Sequence, residues 1–230
     1  MKPTVPGDFS VTGLILAGGR GTRMGGVAKG LLVSRGQRLI DTITDVLQPQ
    51  VHQLLISGDP AVYGHLGFPV LRDAIPRGLG PLAGQLAGLE QATTDFVVTV
   101  PCDTPTLPPD LVTRMVARLS AEAAEVCTVL DSQGEHPVIN LTTPGLAMAL
   151  RHYLENGGRA VGRWLKTRGM AVADFSDRGA PFLNLNTPEE LQHLEQLCTL
   201  HHKVNHEDSR TTCIPTATAG TGRCADPRNP

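Results

Sequence analysis

The chain has 230 residues, enough for one large α/β domain without requiring two. Its 20 basic and 22 acidic residues leave a formal net charge of −2, so charge gives no reason to expect binding to nucleic acid or to a membrane. No apolar run approaches the ~20 residues of a membrane span. Residues 1–10 lack the apolar core of a signal peptide, so we expect a cytoplasmic protein.

The cysteines do not form a recognisable framework. They are Cys102, Cys127, Cys198, Cys213 and Cys224. An odd number with irregular spacing and no Cys-x-x-Cys pair argues against disulfides and against a zinc ribbon. Cys198, His201, His202 and Cys213 could in principle hold zinc, but structural zinc sites use tighter paired spacings. We therefore interpret them as residues of a loose tail.

The first predicted element is a buried strand over residues 14–17, which runs directly into a loop rich in glycine and arginine. Glycine lets a ligand approach the backbone closely, so the amides of residues 18–21 can point at one anion. Arg20, Arg23 and Lys29 add positive charge beside them. A plain glycine-rich turn is the alternative, but it would crowd three cations together without an anion. The pattern favours a phosphate-binding loop for a nucleoside triphosphate.

Two well-known phosphate loops do not fit this stretch. The dinucleotide-binding pattern requires a third glycine where the chain has Met24. The Walker pattern requires a lysine after its second glycine, but Val27 follows Gly26. The loop therefore belongs to another class of nucleotide-binding protein.

Strands and helices alternate along the rest of the chain. The predicted strands cover residues 53–57, 69–72, 95–100, 126–131, 137–141, 171–175 and 182–185. Predicted helices cover residues 39–47, 81–89, 108–120, 144–155 and 160–166, and a last helix begins with a capping box at Thr187 and Glu190. Small residues along the 81–89 helix would let it lie close to the sheet. The alternation predicts a three-layer, Rossmann-like α/β fold, a mostly parallel sheet with helices on both faces.

Ligands in such folds bind outside the carboxyl ends of the strands. The predicted strands place Gly18, Ser57, Asp73 and Asp103 there, with Asn184 as a further candidate. Asp103 follows an apolar strand, where a carboxylate is costly to bury unless it meets a cation. Magnesium bound by one carboxylate and substrate phosphates fits this position. The alternative for Asp103 is a cap of the proline-rich turn that follows.

The other polar candidates leave two interpretations open. Lys29 and Arg23 would neutralise phosphate charge during transfer, or they are solvated surface charges. Asp73 binds the base or ribose of a nucleotide, or makes a local turn. Asn184 and Asn186 contact substrate, or satisfy backbone groups where a strand meets a helix.

Six motifs in order resemble the molybdenum cofactor guanylyltransferase family over about residues 11–197. They are Leu16-Ala17-Gly18-Gly19-x-x-x-Arg23-Met24-Gly25-Gly26, Lys29-Gly30-Leu31-Leu32, Gly80-Pro81-Leu82-Ala83-Gly84, Pro101-Cys102-Asp103-Thr104-Pro105, His136-Pro137 and Asn184-x-Asn186-Thr187-Pro188-Glu189-Glu190-Leu191. The resemblance implies an enzyme that transfers GMP from GTP to the terminal phosphate of molybdenum-molybdopterin and releases diphosphate. It also implies Mg²⁺, with Mn²⁺ as the alternative ion, and transient contacts with proteins that deliver or accept the cofactor.

The resemblance also assigns site residues. Its GTP-binding positions fall on Leu16, Ala17, Gly18, Lys29, Ser57, Asp73 and Asp103, with Asp103 also the metal ligand. Its substrate positions fall on Gly19, Gly80, Asn184 and Asn186, and we expect Arg23, Lys29 and Asp103 to be catalytic. Two positions depart from the family. Ala28 replaces an aspartate, and Ser57 replaces an asparagine in the nucleotide site.

The domain limits follow from the extent of the motifs. Residues 1–10 are expected to be a lead-in, residues 11–198 the nucleotidyltransferase domain, and residues 199–230 a disordered tail, because the tail is polar and lacks apolar periodicity.

Two rival functions remain open. Related cytidylyltransferases usually carry Leu-Ala-Ala-Gly where this chain has Leu16-Ala17-Gly18-Gly19, so the extra glycine favours guanine. A non-catalytic nucleotide-binding module is the other rival. The presence of Arg23, Lys29 and Asp103 together argues against it, because binding alone has less need of a metal carboxylate.

Overall fold

Nine strands and six α-helices are described in this computed structural model, which covers residues 9–18, 28–75, 79–178 and 182–185. The strands are β1 Val11–Leu16, β2 Val33–Ser34, β3 Gln37–Arg38, β4 Gln53–Ser57, β5 Val70–Leu71, β6 Phe96–Pro101, β7 Val126–Asp131, β8 Gly134–Thr142 and β9 Met170–Asp174. The helices are α1 Leu39–Leu47, α2 Pro60–Tyr63, α3 Pro81–Gln91, α4 Leu111–Ala121, α5 Ala147–Glu155 and α6 Val161–Lys166.

Seven of these strands form one sheet in the order β5-β4-β1-β6-β8-β7-β9, and β2 and β3 form a separate hairpin. Pairing is parallel from β5 to β6 and between β7 and β9, while β8 is antiparallel to both of its neighbours. Among the strands described, β8 is therefore the one that runs against the rest of the sheet. The mostly parallel sheet predicted from the alternation of strands and helices is confirmed.

The sheet carries an apolar core on each face. All six residues of β1 are buried, as expected for a parallel strand covered on both sides. Ile15 packs in a cluster with the inner faces of α1 and α4. Its neighbours Leu14 and Leu16 pack in a second cluster with α3, α5 and α6. Successive side chains of a strand point to opposite faces, so the two clusters confirm the three-layer arrangement.

Glycines on α3 bring that helix close to the sheet. A Cβ atom at Gly84 would meet the Ser57 hydroxyl and lie 3.0 Å from Leu16 Cδ2. A Cβ atom at Gly88 would meet Leu14 Cδ2 and lie 3.1 Å from its Cγ. The expectation that small residues let this helix approach the sheet is confirmed.

Replacing Gly88 with alanine should therefore lower the free energy of unfolding by about 1–3 kcal/mol, because the added methyl group displaces the fully buried Leu14 side chain. Alanine is the better helix former, so a gain in stability would show that the core repacks without strain. Thermal and urea unfolding measure the change. Gln91→Ala, at an exposed position of the same helix, is the control and should alter stability by less than about 0.5 kcal/mol.

Two predicted strands differ from the structure. The segment 182–185 was predicted as a strand, but it joins no sheet among the residues described. Its apolar residues alternate as in a strand, yet its backbone amides donate to a loop carbonyl and to side chains instead. The strand predicted over 137–141 is longer and begins at Gly134, because it forms a hairpin with β7.

The remaining differences are smaller. The helix predicted over 144–155 begins with a 3₁₀ turn before α5, and Arg35 and Gly36 form the turn between β2 and β3. The last helix from Thr187 and the tail 199–230 lie outside the described residues, as do residues 1–8 of the lead-in. Within the described part of the chain, none of the helices has both the length and the apolar character needed to cross a bilayer.

Candidate active site

The carboxyl ends of β1, β4, β5 and β6 form one rim of the sheet. Leu16, the last residue of β1, pairs with Ser57 at the end of β4 and with the last residue of β6. Gly18, Asp73 and Asp103 each lie two residues beyond the end of their strands. The structure therefore brings these predicted site residues to the same edge.

Leu16 and Ala17 are nearly buried, and part of their backbone extends the sheet. The Leu16 carbonyl accepts a hydrogen bond from Cys102 N at 3.0 Å, and Ala17 N donates to the Ser57 carbonyl at 2.8 Å. The side chains of both residues are less than 10 % exposed. We expect any nucleotide contact here to use backbone atoms from the Ala17 carbonyl onward.

Asp73 and Ser57 flank the start of the glycine-rich loop. A Cβ atom at Gly18 would lie 3.8 Å from Asp73 Oδ1 and 3.9 Å from the Ser57 carbonyl oxygen. Burial raises the pKa of the Asp73 carboxyl group. The Ser57 hydroxyl lies against Gly84 of α3 instead, and the residue is only 1 % exposed. The backbone carbonyl of Ser57 thus lies beside Gly18, whereas its side chain is packed below the rim.

Lys29 and Asp103 form an ion pair across this rim. Lys29 lies in a 3₁₀ turn, Lys29–Leu31, and its Nζ atom donates to Asp103 Oδ2 at 2.9 Å. The lysine side chain is 30 % exposed and the aspartate side chain 15 %. A partly buried pair is screened less by salt than a surface pair. A lysine predicted to neutralise phosphate charge and an aspartate predicted to bind the metal and GTP, 74 positions apart, are therefore in direct contact.

Two buried groups lie beneath this ion pair. Tyr63 is 1 % exposed, and a Cβ atom at Gly30 would lie 3.1 Å from its hydroxyl oxygen. Burial, with the nearby Cys102, raises the pKa of Tyr63 to about 12. Burial, with the charge of Asp103, raises the pKa of Cys102 to about 12. Both groups are neutral at physiological pH, so the Cys102 thiol is a poor nucleophile despite its place beside Asp103.

Asn184 lies against the loop that carries Asp103. Thr104 Oγ1 donates to Asn184 Oδ1 at 2.5 Å, and Leu185 N donates to the Asp103 carbonyl at 2.8 Å. Gly80 precedes the first turn of α3 with φ +79° and ψ −165°, a conformation that suits glycine, and a Cβ atom there would meet nothing within 4 Å. Backbone conformation, not space, is what requires glycine at position 80.

Three predicted residues, Arg23, Gly19 and Asn186, lie outside the described part of the chain. Conversely, sequence reasoning gave no role to Thr104 or Tyr63. Thr104 was part of the Asp103 motif, but its complete burial appears only in the folded chain. Tyr63 gave no signal, because its contact with Gly30 appears only in the folded chain.

The side chains at the rim offer a limited set of ligands for a divalent cation. Among the residues that the structure describes, no group of three or more His, Cys, Asp or Glu side chains is arranged to hold a metal. Asp103 nevertheless offers a partly exposed carboxylate at the rim, beside a lysine suited to phosphate. Magnesium is commonly held by one or two carboxylates together with substrate phosphates and water. Asp103 fits such an ion, and the chain alone does not build a complete cage for it.

Comparison with known proteins agrees with this geometry. A model of the MobA-like NTP transferase domain matches residues 13–171. A molybdenum cofactor guanylyltransferase from Shewanella loihica is 40% identical over 188 residues, 81% of this chain and 96% of that protein. A second, from Shewanella sediminis, is 38% identical over 191 residues, 82% of this chain and 97% of that protein.

Solved structures show the same fold at lower identity. Molybdopterin-guanine dinucleotide biosynthesis protein A from Archaeoglobus fulgidus gives a TM-score of 0.67 at 19% identity, covering 82% of this chain and 99% of its own. A Mycobacterium tuberculosis protein solved in complex with manganese gives 0.60 at 18% identity, covering 84% of this chain and 100% of its own.

Proposed function

Because this chain belongs to the molybdenum cofactor guanylyltransferase family and is therefore a nucleotidyltransferase, we propose that it transfers GMP from GTP to the terminal phosphate of molybdenum-molybdopterin. The products are the guanine dinucleotide form of the cofactor and diphosphate. The observation that carries the proposal is the contact between Lys29 and Asp103 at the rim where β1 and β6 end.

The chemistry joins two anions. The terminal phosphate of the pterin attacks the α-phosphate of GTP, and repulsion between the phosphate groups is the main obstacle. In phosphoryl transfer the protein contributes chiefly positioning and electrostatic stabilisation, so no side-chain nucleophile is required. The neutral Cys102 thiol agrees with such a direct displacement.

Lys29 and Asp103 have different roles at the rim. Lys29 supplies a positive charge and three N–H donors for the phosphates of GTP. Asp103 holds Lys29 in place through Oδ2 and supplies the carboxylate for a divalent cation. When bound, that cation neutralises phosphate charge and helps to orient the displacement. We take it to be Mg²⁺, with Mn²⁺ as the alternative.

The other candidates are assigned by where they lie. The backbone from Ala17 to Gly18, together with Asp73, borders the position expected for the nucleotide. Asn184 contacts Thr104, next to Asp103, and we assign it to the acceptor. Gly19, Arg23 and Asn186 keep their sequence-based roles as proposals, as do the domain limits, the cytoplasmic location and the contacts with delivering or accepting proteins.

Product analysis tests the reaction. The protein is incubated with molybdenum-molybdopterin, GTP and Mg²⁺, and the products are separated and weighed by mass spectrometry. We expect the guanine dinucleotide and diphosphate in equal amounts. Tight GTP binding without any dinucleotide would favour a non-catalytic module instead.

Base selectivity is a separate prediction. A backbone site that hydrogen-bonds guanine leaves polar groups unpaired with another base, at a cost of about 1–3 kcal/mol for each unmade bond. In a mixture of equal GTP, CTP and ATP, guanine product should therefore exceed each other dinucleotide at least about tenfold. Because the three nucleotides compete for the same enzyme sample, the product ratio does not depend on how much of the enzyme is active. Equal yields from CTP and GTP would move the protein to the cytidylyltransferases.

A further inference from the structure

The segment 182–185, which carries Asn184, is held against two loops of the domain by hydrogen bonds at each of its residues. These are Phe182 N to Asp131 Oδ2 at 2.7 Å, Leu183 N to Thr106 Oγ1 at 3.3 Å, Thr104 Oγ1 to Asn184 Oδ1 at 2.5 Å, and Leu185 N to the Asp103 carbonyl at 2.8 Å. Three of the four bonds connect the segment to residues 103–106. The fourth bond connects it to Asp131, at the end of β7.

Asp131 is the last residue of β7, and β7 runs parallel to β6 because both are antiparallel to β8. It therefore lies at the same edge of the sheet as Asp103. Its side chain is only 3 % exposed. A buried carboxylate is costly unless its oxygens are paired, so the groups that contact Asp131 indicate what it does.

Both carboxylate oxygens of Asp131 have partners. Oδ2 accepts from Phe182 N, while Oδ1 accepts from Gln133 N at 2.8 Å and lies 2.9 Å from His136 Nε2. Burial raises the pKa of Asp131, but these groups outweigh it and hold the pKa below its usual value. Asp131 is thus charged at neutral pH and joins the β7–β8 turn to the segment.

The side chain of Phe182 also holds the start of the segment 182–185 in place. It is 3 % exposed and makes edge-on contacts with His136 and Phe175, with ring centroids 5.4 Å apart in each case. His136 therefore contacts both Asp131 and Phe182. The anchor combines a buried aromatic ring with a charge-assisted hydrogen bond to its own backbone amide, two residues before Asn184.

From these contacts we infer that Asp131 is a positioning residue, which docks the segment 182–185 and so sets the place of Asn184 beside Asp103. Thr104 Oγ1 donates to the Asn184 amide oxygen, so the N–H groups of that amide can act as donors. Asp131 itself does not touch the Lys29–Asp103 pair through any contact described. Its effect on catalysis rests on the proposed function and is exerted on the acceptor side of the site.

Asp131→Asn tests this role in the full-length protein. An asparagine has one acceptor oxygen where Asp131 has two. It therefore cannot accept from Phe182 N with one oxygen while a second oxygen faces Gln133 N and His136 Nε2. Without any substrate, hydrogen exchange of the amides in 182–185 should accelerate about tenfold, while exchange in β1 and β6 stays unchanged. Unchanged exchange at 182–185 would overturn the inference, whether or not the protein makes dinucleotide.

Steady-state kinetics separate positioning from general destabilisation. For Asp131→Asn, kcat/KM for molybdenum-molybdopterin should fall about tenfold, while kcat/KM for GTP stays within twofold. An equal loss for both substrates would overturn the inference, because it would indicate a general structural role. Absence of product with the unmodified protein would instead contradict the proposed function and leave the exchange result standing.

Two further variants supply a control and an alternative to Asp131→Asn. Asp174→Asn makes the same chemical change at an exposed carboxylate that caps Ser176 N at 2.8 Å, and it should alter neither exchange at 182–185 nor the kinetics. Should Asp131→Asn fail to fold, Thr106→Val removes the acceptor of Leu183 N at a partly buried position. This variant should also lower kcat/KM for molybdenum-molybdopterin selectively, by a smaller factor. An equal fall in kcat/KM for both substrates would again count against the inference.

Discussion

Asp103→Asn should lower turnover at least about 10²-fold, which is the scale of losing one strong electrostatic contributor to catalysis. The substitution keeps the size of the side chain but removes the charge that pairs with Lys29 at 2.9 Å and would anchor the divalent cation. Initial rates of dinucleotide formation at saturating GTP and limiting Mg²⁺ measure the loss. The defect should be partly relieved at high Mg²⁺, because the phosphates still bind the ion weakly.

The fold should survive this change, because Asp103 is partly exposed and lies in a loop beyond β6. Circular dichroism and the melting temperature check that point. Asp45→Asn on the exposed side of α1, where the carboxylate accepts a surface bond from Gln37, is the matched control and should stay within twofold of the unmodified protein. Near-normal turnover of Asp103→Asn at limiting Mg²⁺ would place the metal elsewhere.

Lys29→Met should also reduce turnover, by about 10²-fold, because methionine keeps an unbranched side chain without its charge or N–H donors. The loss should appear mainly in kcat, since the charge that Lys29 neutralises increases as diphosphate leaves. Single-turnover rates at saturating GTP isolate that step. The same substitution at Lys166, which is 66 % exposed, is the control and should have no measurable effect.

The two substitutions should not be additive. Lys29 and Asp103 are in direct contact, so the double variant should lose less than the product of the two single losses. Strict additivity would mean that each residue acts on the phosphates independently of the ion pair. Full activity of Lys29→Met would show that another cation supplies the neutralising charge.

Periodicity in the sequence was sufficient to predict the sheet and the rim of the site. The runs at 126–131 and 53–57 match β7 and β4 at both ends, because buried strands bounded by turn residues leave a clear pattern. The positions of Gly18, Asp73 and Asp103 followed, since the ends of parallel strands meet at one edge.

Contacts distant in sequence could not be predicted in the same way. The pairing of Lys29 with Asp103 depends on how the 3₁₀ turn Lys29–Leu31 lies on the sheet, and no local pattern reports that. The segment 182–185 alternates like a strand, yet tertiary partners such as Asp131 take its backbone donors. The start of β8 at Gly134 was missed because its first residues are glycine and polar residues, and its reversed direction depends on the hairpin with β7, which no local pattern reports.

Isotope-labelled GTP tests the central claim, nucleotidyl transfer, most directly. The protein is given molybdenum-molybdopterin and GTP labelled at either the α- or the γ-phosphate, and the label is followed into product. We predict that α-label appears in the pterin dinucleotide and γ-label in diphosphate, in equal amounts. Transfer of γ-label to the pterin, or its release as orthophosphate without dinucleotide, would contradict the account.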